Sequence, residues 1–271
     1  MKLNFSLTGK TALVTGGGGV ICSVISHALA SQGANVAVCD LSEERATAVA
    51  EEIRSEGGRA MGIKVDVLDR TSVEACAAAV QEAWGGIDIL INGAGGNKPT
   101  ATTSGDRSFF DLPEDALTWV FNLNLLGSVL PAQVVGRQMA KTGGGCIVNI
   151  SSMAAYRPLT RTLAYSAAKA GISNFTQWLA VHMNQEYSPN IRVNAIAPGF
   201  LLTAQNQYLM QREDGSPTER GGKVLAHTPM NRYGTPEELC GAIVFLCSEE
   251  ATFVNGVVLP VDGAFSAYSG V

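Results

Sequence analysis

Tyr165 and Lys169 place a phenol and an ammonium group four residues apart. Side chains with this spacing share one face of a helix, and the alanine-rich run 164–181, with large apolar residues at helical spacing, predicts a helix. A free tyrosine ionises at pH ~10, and a nearby ammonium group lowers that pKa. Such a pair can exchange a proton with an alcohol or an alkoxide. The spacing also arises by chance, and the alternative is a half-buried tyrosine beside a solvated lysine.

A second candidate site lies near the amino terminus, where a strand pattern leads into a glycine turn and then a helix. The apolar run Thr11–Thr15 is followed by glycines at 16–19 and an amphipathic stretch at 20–32. This order directs backbone N–H groups and a helix dipole toward an anion, as α/β folds do for pyrophosphate. A glycine run can also be only a flexible turn.

Asp40 follows the second apolar run, at 35–39. A carboxylate at the end of that strand can accept hydrogen bonds from both hydroxyls of an adenosine ribose, and it would repel a 2′-phosphate. No arginine lies in the glycine turn or directly after Asp40. The sequence therefore predicts NAD rather than NADP, and the alternative role for Asp40 is to cap a helix.

Strand and helix patterns alternate along the rest of the chain. Helices are predicted at 20–32, 43–56, 71–84, 113–141 and 164–181 and from 235 onward, and strands at 11–15, 35–39, 60–65, 87–91, 146–150, 191–196 and 257–261. Nearly continuous apolar strands indicate a parallel sheet covered on both faces. We predict one α/β domain over 1–271: a Rossmann-type, doubly wound, seven-stranded parallel sheet. Two polar segments, at about 96–112 and 200–230, are expected to form substrate loops, and the irregular segment 153–163 is expected to add a further wall of the substrate site.

Composition narrows the class of protein. A chain of 271 residues with 46% hydrophobic and 16% charged residues suits a compact globule. A net charge of −5 without a basic tract argues against nucleic acid, and no uninterrupted apolar stretch suggests a membrane span. The amino terminus lacks the apolar core of a signal peptide. The six cysteines form no Cys-x-x-Cys pair, so we expect reduced thiols in a cytoplasmic protein. The three histidines show no metal-ligand spacing, so no metal is expected.

These motifs occur in an order that resembles the short-chain dehydrogenase/reductase family, over about residues 7–267. Thr15-Gly16 matches the start of the family's glycine motif, but Val20 and Cys22 stand where its second and third glycines usually are. The family's Asn-Asn-Ala-Gly motif has one substitution, as Asn92-Gly93-Ala94-Gly95.

The resemblance implies a catalytic set and a cofactor-binding set. In the catalytic set, Tyr165 donates a proton to the substrate oxygen, Ser152 donates a hydrogen bond to it, Lys169 bonds the nicotinamide ribose, and Asn124 holds a water. The implied cofactor-binding residues are Gly16, Gly19, Val20, Ile21, Asp40, Asp66, Val67, Asn92, Ala94, Gly95, Tyr165, Lys169, Pro198, Gly199, Leu201 and Thr203.

The substrate loops are polar and carry several cations, which suits a polyhydroxylated anion such as a sugar acid. The candidate substrate residues are Lys98, Arg157, Arg161 and Gln205, each of which could instead be a solvated loop residue. The segments 92–97, 173–180 and 260–271 are similar to the D-mannonate oxidoreductases of the short-chain type, or fructuronate reductases, which interconvert D-fructuronate and D-mannonate. The alternative is a gluconate 5-dehydrogenase or another short-chain reductase of polyols or ketones.

The resemblance also implies a homotetramer in which helices at about 114–140 and 164–187 pair between subunits. A more distant alternative is a cofactor-binding sensor without catalysis. The altered glycine motif is its only support, and the retained Asn124, Ser152, Tyr165 and Lys169 argue against it.

Overall fold

The computed structural model describes residues 3–204 and 206–270, in which seven strands form one parallel sheet. The strands are β1 (Thr11–Thr15), β2 (Asn35–Asp40), β3 (Arg59–Lys64), β4 (Ile89–Asn92), β5 (Gly145–Ile150), β6 (Ile191–Pro198) and β7 (Val258–Val261). Their order across the sheet is β3-β2-β1-β4-β5-β6-β7. The chain therefore begins with β1 inside the sheet and adds β2 and β3 on one side of it. It then returns to the other side of β1 and adds β4 to β7 in order. The predicted doubly wound fold is confirmed.

The helices lie on both faces of this sheet. They are α1 (Val20–Ser31), α2 (Glu43–Ser55), α3 (Arg70–Trp84), α4 (Glu114–Phe121), α5 (Gly127–Thr142), α6 (Leu163–Glu186), α7 (Gln207–Met210), α8 (Glu219–His227) and α9 (Cys240–Cys247). Successive strand residues point to opposite faces, so Val14 packs in the layer with α1, α2 and α9, and Leu13 packs in the layer with α3, α5 and α6. Five of the six cysteines are buried free thiols, and Cys240 is half-buried and free.

Two helical predictions need correction. The helix predicted over 113–141 is divided, because a π-helical turn at Asn122–Leu126 separates α4 from α5. Pro131 lies inside α5. The segment 200–230, predicted as irregular, contains α7 and α8. The second of these is a nine-residue helix whose first turn is capped by the Thr218 hydroxyl, which accepts a hydrogen bond from Gly221 N.

The run Glu114–Thr142 is long and apolar enough to cross a membrane by length and composition. In the fold it packs instead: α4 lies against α6, and α5 lies against α3, β4 and β5. This packing buries part of its apolar side chains.

Candidate active site

A cleft of about 580 Å³ opens where β1, β4, β5 and β6 reach their carboxyl ends. This is the switch point of the strand order, where open α/β sheets bind their ligands. The sequence-predicted residues that line it are Gly16, Gly19, Val20, Ile21, Asp40, Gly95, Ser152, Tyr165, Lys169, Pro198, Gly199, Leu201 and Thr203. The glycine turn and the tyrosine helix, which are far apart in sequence, thus form one continuous site.

Ser152 and Tyr165 both line this cleft. Ser152 follows β5 and accepts a hydrogen bond from Ala154 N at 3.1 Å, which caps a short 3₁₀ turn. That bond uses an oxygen lone pair and leaves the hydroxyl proton of Ser152 available for donation. Burial raises the pKa of Tyr165 above its usual value, and the hydrogen bond with Ser152 opposes this rise only in part. The phenol is therefore protonated at neutral pH.

Lys169 lies one helical turn after Tyr165 and is almost fully buried. Its Nζ donates to Ile150 O at 2.8 Å and lies 5.6 Å from the centroid of the Tyr165 ring. Burial lowers the pKa of Lys169 to about 8. Burial and the contact with Ser152 are the causes that shift the pKa of Tyr165, and a lowering of that pKa by Lys169 stays a prediction.

Asn124 is fully buried in the π-helical turn, just beneath the cleft. Its Nδ2 donates to Gly96 O at 2.7 Å and to Val120 O at 2.8 Å, and its Oδ1 accepts from Gly96 N at 3.2 Å. Both amide protons are used within the protein, so only Oδ1 keeps capacity for a further hydrogen bond. Asn124 therefore fixes the turn that follows β4, and any water that it holds must donate to Oδ1.

Asp40 lies at the other end of the cleft and is buried. Its Oδ1 accepts from Arg45 Nη2 at 2.8 Å and from Ser42 N at 3.0 Å, and its Oδ2 accepts from Gly18 N at 3.1 Å. Arg45 also lines the cleft. This arginine was not predicted, because it is not adjacent to Asp40 in sequence and only the first turn of α2 brings position 45 back to the carboxylate.

Four sequence-predicted cofactor residues lie outside the cleft lining. Asp66 is exposed and accepts a hydrogen bond from Leu68 N at 2.9 Å, and Val67 is buried. Asn92 donates to Asn149 Oδ1 at 2.9 Å, and its Oδ1 has no hydrogen-bond partner within residues 3–204 and 206–270. Ala94 N donates to Thr15 Oγ1 at 3.3 Å. These residues shape the strand ends on which the cleft is built.

Comparison with known proteins identifies the family. Residues 19–266 match the family model described as enoyl-(acyl carrier protein) reductase. An uncharacterized oxidoreductase of Haemophilus influenzae is 50% identical over 99% of this chain and 97% of its own length. A 7alpha-hydroxysteroid dehydrogenase of Escherichia coli is 34% identical over 96% of this chain and 95% of its own. The chain belongs to the short-chain dehydrogenase/reductase family. It is an oxidoreductase.

Solved structures of other short-chain dehydrogenase/reductases share the whole fold. A proposed D-mannonate oxidoreductase from Haemophilus influenza, crystallised with bound NAD, superposes with a TM-score of 0.93 at 49% identity over 98% of both chains. A gluconate 5-dehydrogenase from Burkholderia cenocepacia, in complex with NADP and tartrate, has a TM-score of 0.86 at 31% identity over 98% of both chains.

The structure describes three of the four candidate substrate residues, all of them cations. Lys98 Nζ stacks over the Trp119 ring at 4.6 Å, Arg157 is exposed, and Arg161 has a left-handed backbone (φ 74°). These three cations, which all lie in the described part of the chain, do not line the cleft. Gln205 lies outside the described residues.

The walls around Tyr165 contain residues that no sequence motif singled out. They are Met153, Leu159, Phe200 and Asn206. Asn206 accepts from Thr203 N at 2.9 Å and donates to Leu201 O at 2.8 Å, so its side chain closes the turn after β6. The only signal for these positions is that they lie in or beside the segments predicted to form substrate loops.

Proposed function

We propose that the chain is an NAD-dependent oxidoreductase that interconverts a keto sugar acid and its hydroxy acid, with D-fructuronate and D-mannonate as the first candidates. The observation that carries this proposal is that Ser152, Tyr165 and Lys169 share one cleft with Asp40. The chain's similarity to a proposed D-mannonate oxidoreductase that holds NAD supports both the cofactor and the substrate class.

The residues of the cleft fit a nicotinamide dinucleotide. Gly16 has a left-handed backbone (φ 66°), and a Cβ there would lie 2.9 Å from Ala94 N, so glycine lets the turn approach the next strand end. Gly19 and Ile21 would hold the pyrophosphate, Asp40 the adenosine ribose, and Thr203 the carboxamide. The remaining cofactor-binding proposals are Val20, Asp66, Val67, Asn92, Ala94, Gly95, Pro198, Gly199 and Leu201. When bound, the reduced cofactor supplies a hydride to a carbonyl carbon.

The protein's own part is to manage the proton at the substrate oxygen. Tyr165 donates its proton to that oxygen, and the raised pKa of the phenol keeps the proton available at neutral pH. Ser152 donates a hydrogen bond to the same oxygen and stabilises its developing charge. Lys169 holds the nicotinamide ribose, and Asn124 Oδ1 accepts from the water that returns a proton from solvent.

In this proposal the substrate carboxylate binds cations of the loops beside the cleft. Arg157 and Arg161 flank Leu159, which lines the cleft, and both arginines are exposed. Lys98 and Gln205 complete the proposed set. A gluconate 5-dehydrogenase is the second candidate, since a structure of that activity shares the fold at 31% identity with a bound tartrate, itself a hydroxy acid.

The test is an NADH-oxidation assay with D-fructuronate beside 5-keto-D-gluconate and a 3-oxoacyl thioester. Turnover of D-fructuronate well above that of the other two ketones is expected. A rate confined to 5-keto-D-gluconate would select the second candidate, and a rate confined to the thioester would overturn the sugar-acid assignment. Binding of NADH without turnover of any ketone or alcohol would favour a sensor.

Assembly as a cytoplasmic homotetramer is part of the proposal. Its support is the set of exposed apolar side chains on α4, the π-helical turn and α6, namely Trp119, Phe121, Leu126, Leu163, Trp178 and Val181. Such side chains on neighbouring helices are typical of a subunit interface. Light scattering on the purified protein should give four times the mass of one chain.

A further inference from the structure

Two departures from the family's motifs meet in space. Cys22 stands in the first turn of α1 where the family usually has a glycine, and Gly93 follows β4 where the family has an asparagine. A Cβ atom placed on Gly93 would lie 2.1 Å from Cys22 Sγ, well inside contact distance. The thiol therefore occupies space that any side chain at position 93 would need.

The turn that contains Gly93 reaches from the cofactor end of the cleft to its reacting end. Gly93 N donates to Thr15 Oγ1 at 3.1 Å, and three residues later Gly96 exchanges two hydrogen bonds with Asn124. Between them, a Cβ on Gly95 would lie 2.8 Å from Asn124 Oδ1 and 3.3 Å from Lys169 Nζ. A small shift at position 93 would consequently move backbone that touches the catalytic set.

We propose that Cys22 and Gly93 are a paired substitution, in which the thiol replaces the missing side chain of residue 93 and positions the 93–96 turn for the cofactor. Cys22 is 3% exposed and lines the cleft together with Gly93. A close-packed interior accepts a side chain at one of the two positions but not at both. Cys22 is thus a positioning residue that acts through the turn, and the inference rests on the proposed dinucleotide site.

The test compares wild type with Gly93→Ala, Cys22→Ala and the double variant in NADH titrations followed by fluorescence. Gly93→Ala should weaken NADH binding about 5- to 100-fold, because overpacking displaces the turn. With alanine at 22, the remaining Cβ lies 3.6 Å from the Cβ added at 93, an ordinary contact. The double variant should therefore bind NADH at least about fivefold more tightly than Gly93→Ala. Rescue stays partial because Thr15 O lies 2.8 Å from the added Cβ.

The matched control is Gly241→Ala. Gly241 is exposed on α9, no atom lies within 4 Å of a Cβ built there, and NADH affinity should not change. Thermal unfolding of the ligand-free variants separates positioning from plain packing. If Gly93→Ala loses stability but binds NADH like wild type, the positioning role is wrong. If the double variant binds no more tightly than Gly93→Ala, the pairing is wrong.

Two further outcomes are decided by the same measurements. If Gly93→Ala does not fold, the double variant must fold and bind NADH, and its failure would overturn the pairing. If wild type does not bind NADH, the proposed function fails. The melting temperatures then still test the pairing, because the double variant must recover stability that Gly93→Ala loses.

Discussion

At the scale of single residues, Tyr165 and Lys169 have opposite responses to burial. Burial raises the pKa of the phenol and lowers the pKa of the ammonium group to about 8. In both cases the neutral form gains, because each charged form would have to leave water. The tyrosine therefore keeps its proton at neutral pH, as donation to a ketone oxygen requires.

Replacing Tyr165 by phenylalanine should remove the proton donor and leave the cleft in shape. We expect kcat to fall about 10²- to 10⁴-fold, since that is the usual contribution of a positioned acid, while the Kd for NADH stays the same. Steady-state kinetics and NADH titration check both halves. Tyr187→Phe, at an exposed tyrosine that follows α6, is the control. A Tyr165→Phe enzyme with wild-type kcat would contradict the assignment.

Lys169 should make stability depend on pH. Between pH 8 and 10.5 the unfolded chain holds the Lys169 proton and the folded chain has lost it. The free energy of unfolding therefore rises with pH through that window, by at most about 1.4 kcal/mol per pH unit. Buried thiols act in the opposite direction above pH 9, because burial raises the pKa of Cys22 to about 12.

Comparison with Lys169→Met separates these effects. Urea unfolding of both proteins at pH ~7.5 to ~9 should show the stability of wild type rising relative to the variant as pH increases. The thiols are common to both proteins and cancel in the difference. A difference that does not change with pH would show that Lys169 titrates normally in the fold.

Arg45 should influence the choice between NAD and NADP. Its guanidinium group partly neutralises Asp40, so Arg45→Ala should leave the carboxylate more repulsive toward a 2′-phosphate. Because this ion pair is half exposed, we expect the ratio of the Kd for NADP to the Kd for NAD to rise only about two- to fivefold. Fluorescence titrations with both cofactors measure the ratio. Arg54→Ala, near the other end of α2, is the control, and an unchanged ratio in Arg45→Ala would dismiss the role.

That Ser152, Tyr165 and Lys169 share one cleft was predictable from the sequence, because motif spacing fixes them on one strand end and one helix. Arg45 and the Cys22–Gly93 contact were not, since each depends on how two segments approach in space. A distance of 2.8 Å between Arg45 and Asp40 has no signature in spacing alone.

At the scale of elements, the π-helical turn Asn122–Leu126 determines where Asn124 lies. A turn of this kind adds one residue to a helix and is frequent at functional sites. Here it brings an amide side chain to both backbone groups of Gly96. The hydrophobic pattern that predicts a helix over 113–141 carries no information about one inserted residue.

In contrast, the strands are continuous apolar runs with clear limits, so each was predicted to within about two residues.

Asn124→Ala should loosen the 93–96 turn. Loss of three hydrogen bonds to backbone that is partly or fully buried should lower the free energy of unfolding by about 1–3 kcal/mol, and kcat should fall with it because Lys169 adjoins the same turn. Urea unfolding and steady-state kinetics are the measurements. Asn122→Ala, in the same π-helical turn but only half-buried, is the control. Equal losses in the two variants would mean that the turn is not held by Asn124.

At the scale of the whole molecule, the helix that carries Tyr165 and Lys169 also carries exposed apolar side chains. Trp178 on α6 is 57% exposed and stacks on His182 with ring centroids 4.7 Å apart. If this surface is an interface, Trp178→Glu should place a charge in it and reduce the mass found by light scattering. Leu41→Glu, at an exposed leucine next to β2, should leave the mass unchanged. A tetramer that survives Trp178→Glu would locate the interface elsewhere.

The strand order also determines the sequence in which the site can form during synthesis. The first three strands, through Lys64, build one half of the sheet together with the glycine turn and Asp40. β1 gains its second neighbour only when β4 is made, and Ser152, Tyr165 and the turn after β6 come later still. At ribosomal speed, about 10–35 s pass between completion of β4 and the end of the chain. Early in that interval the nascent polypeptide presents the glycine turn and Asp40 on a half-sheet whose open flank is the edge of β4, so a chaperone that covers strand edges would act at this stage.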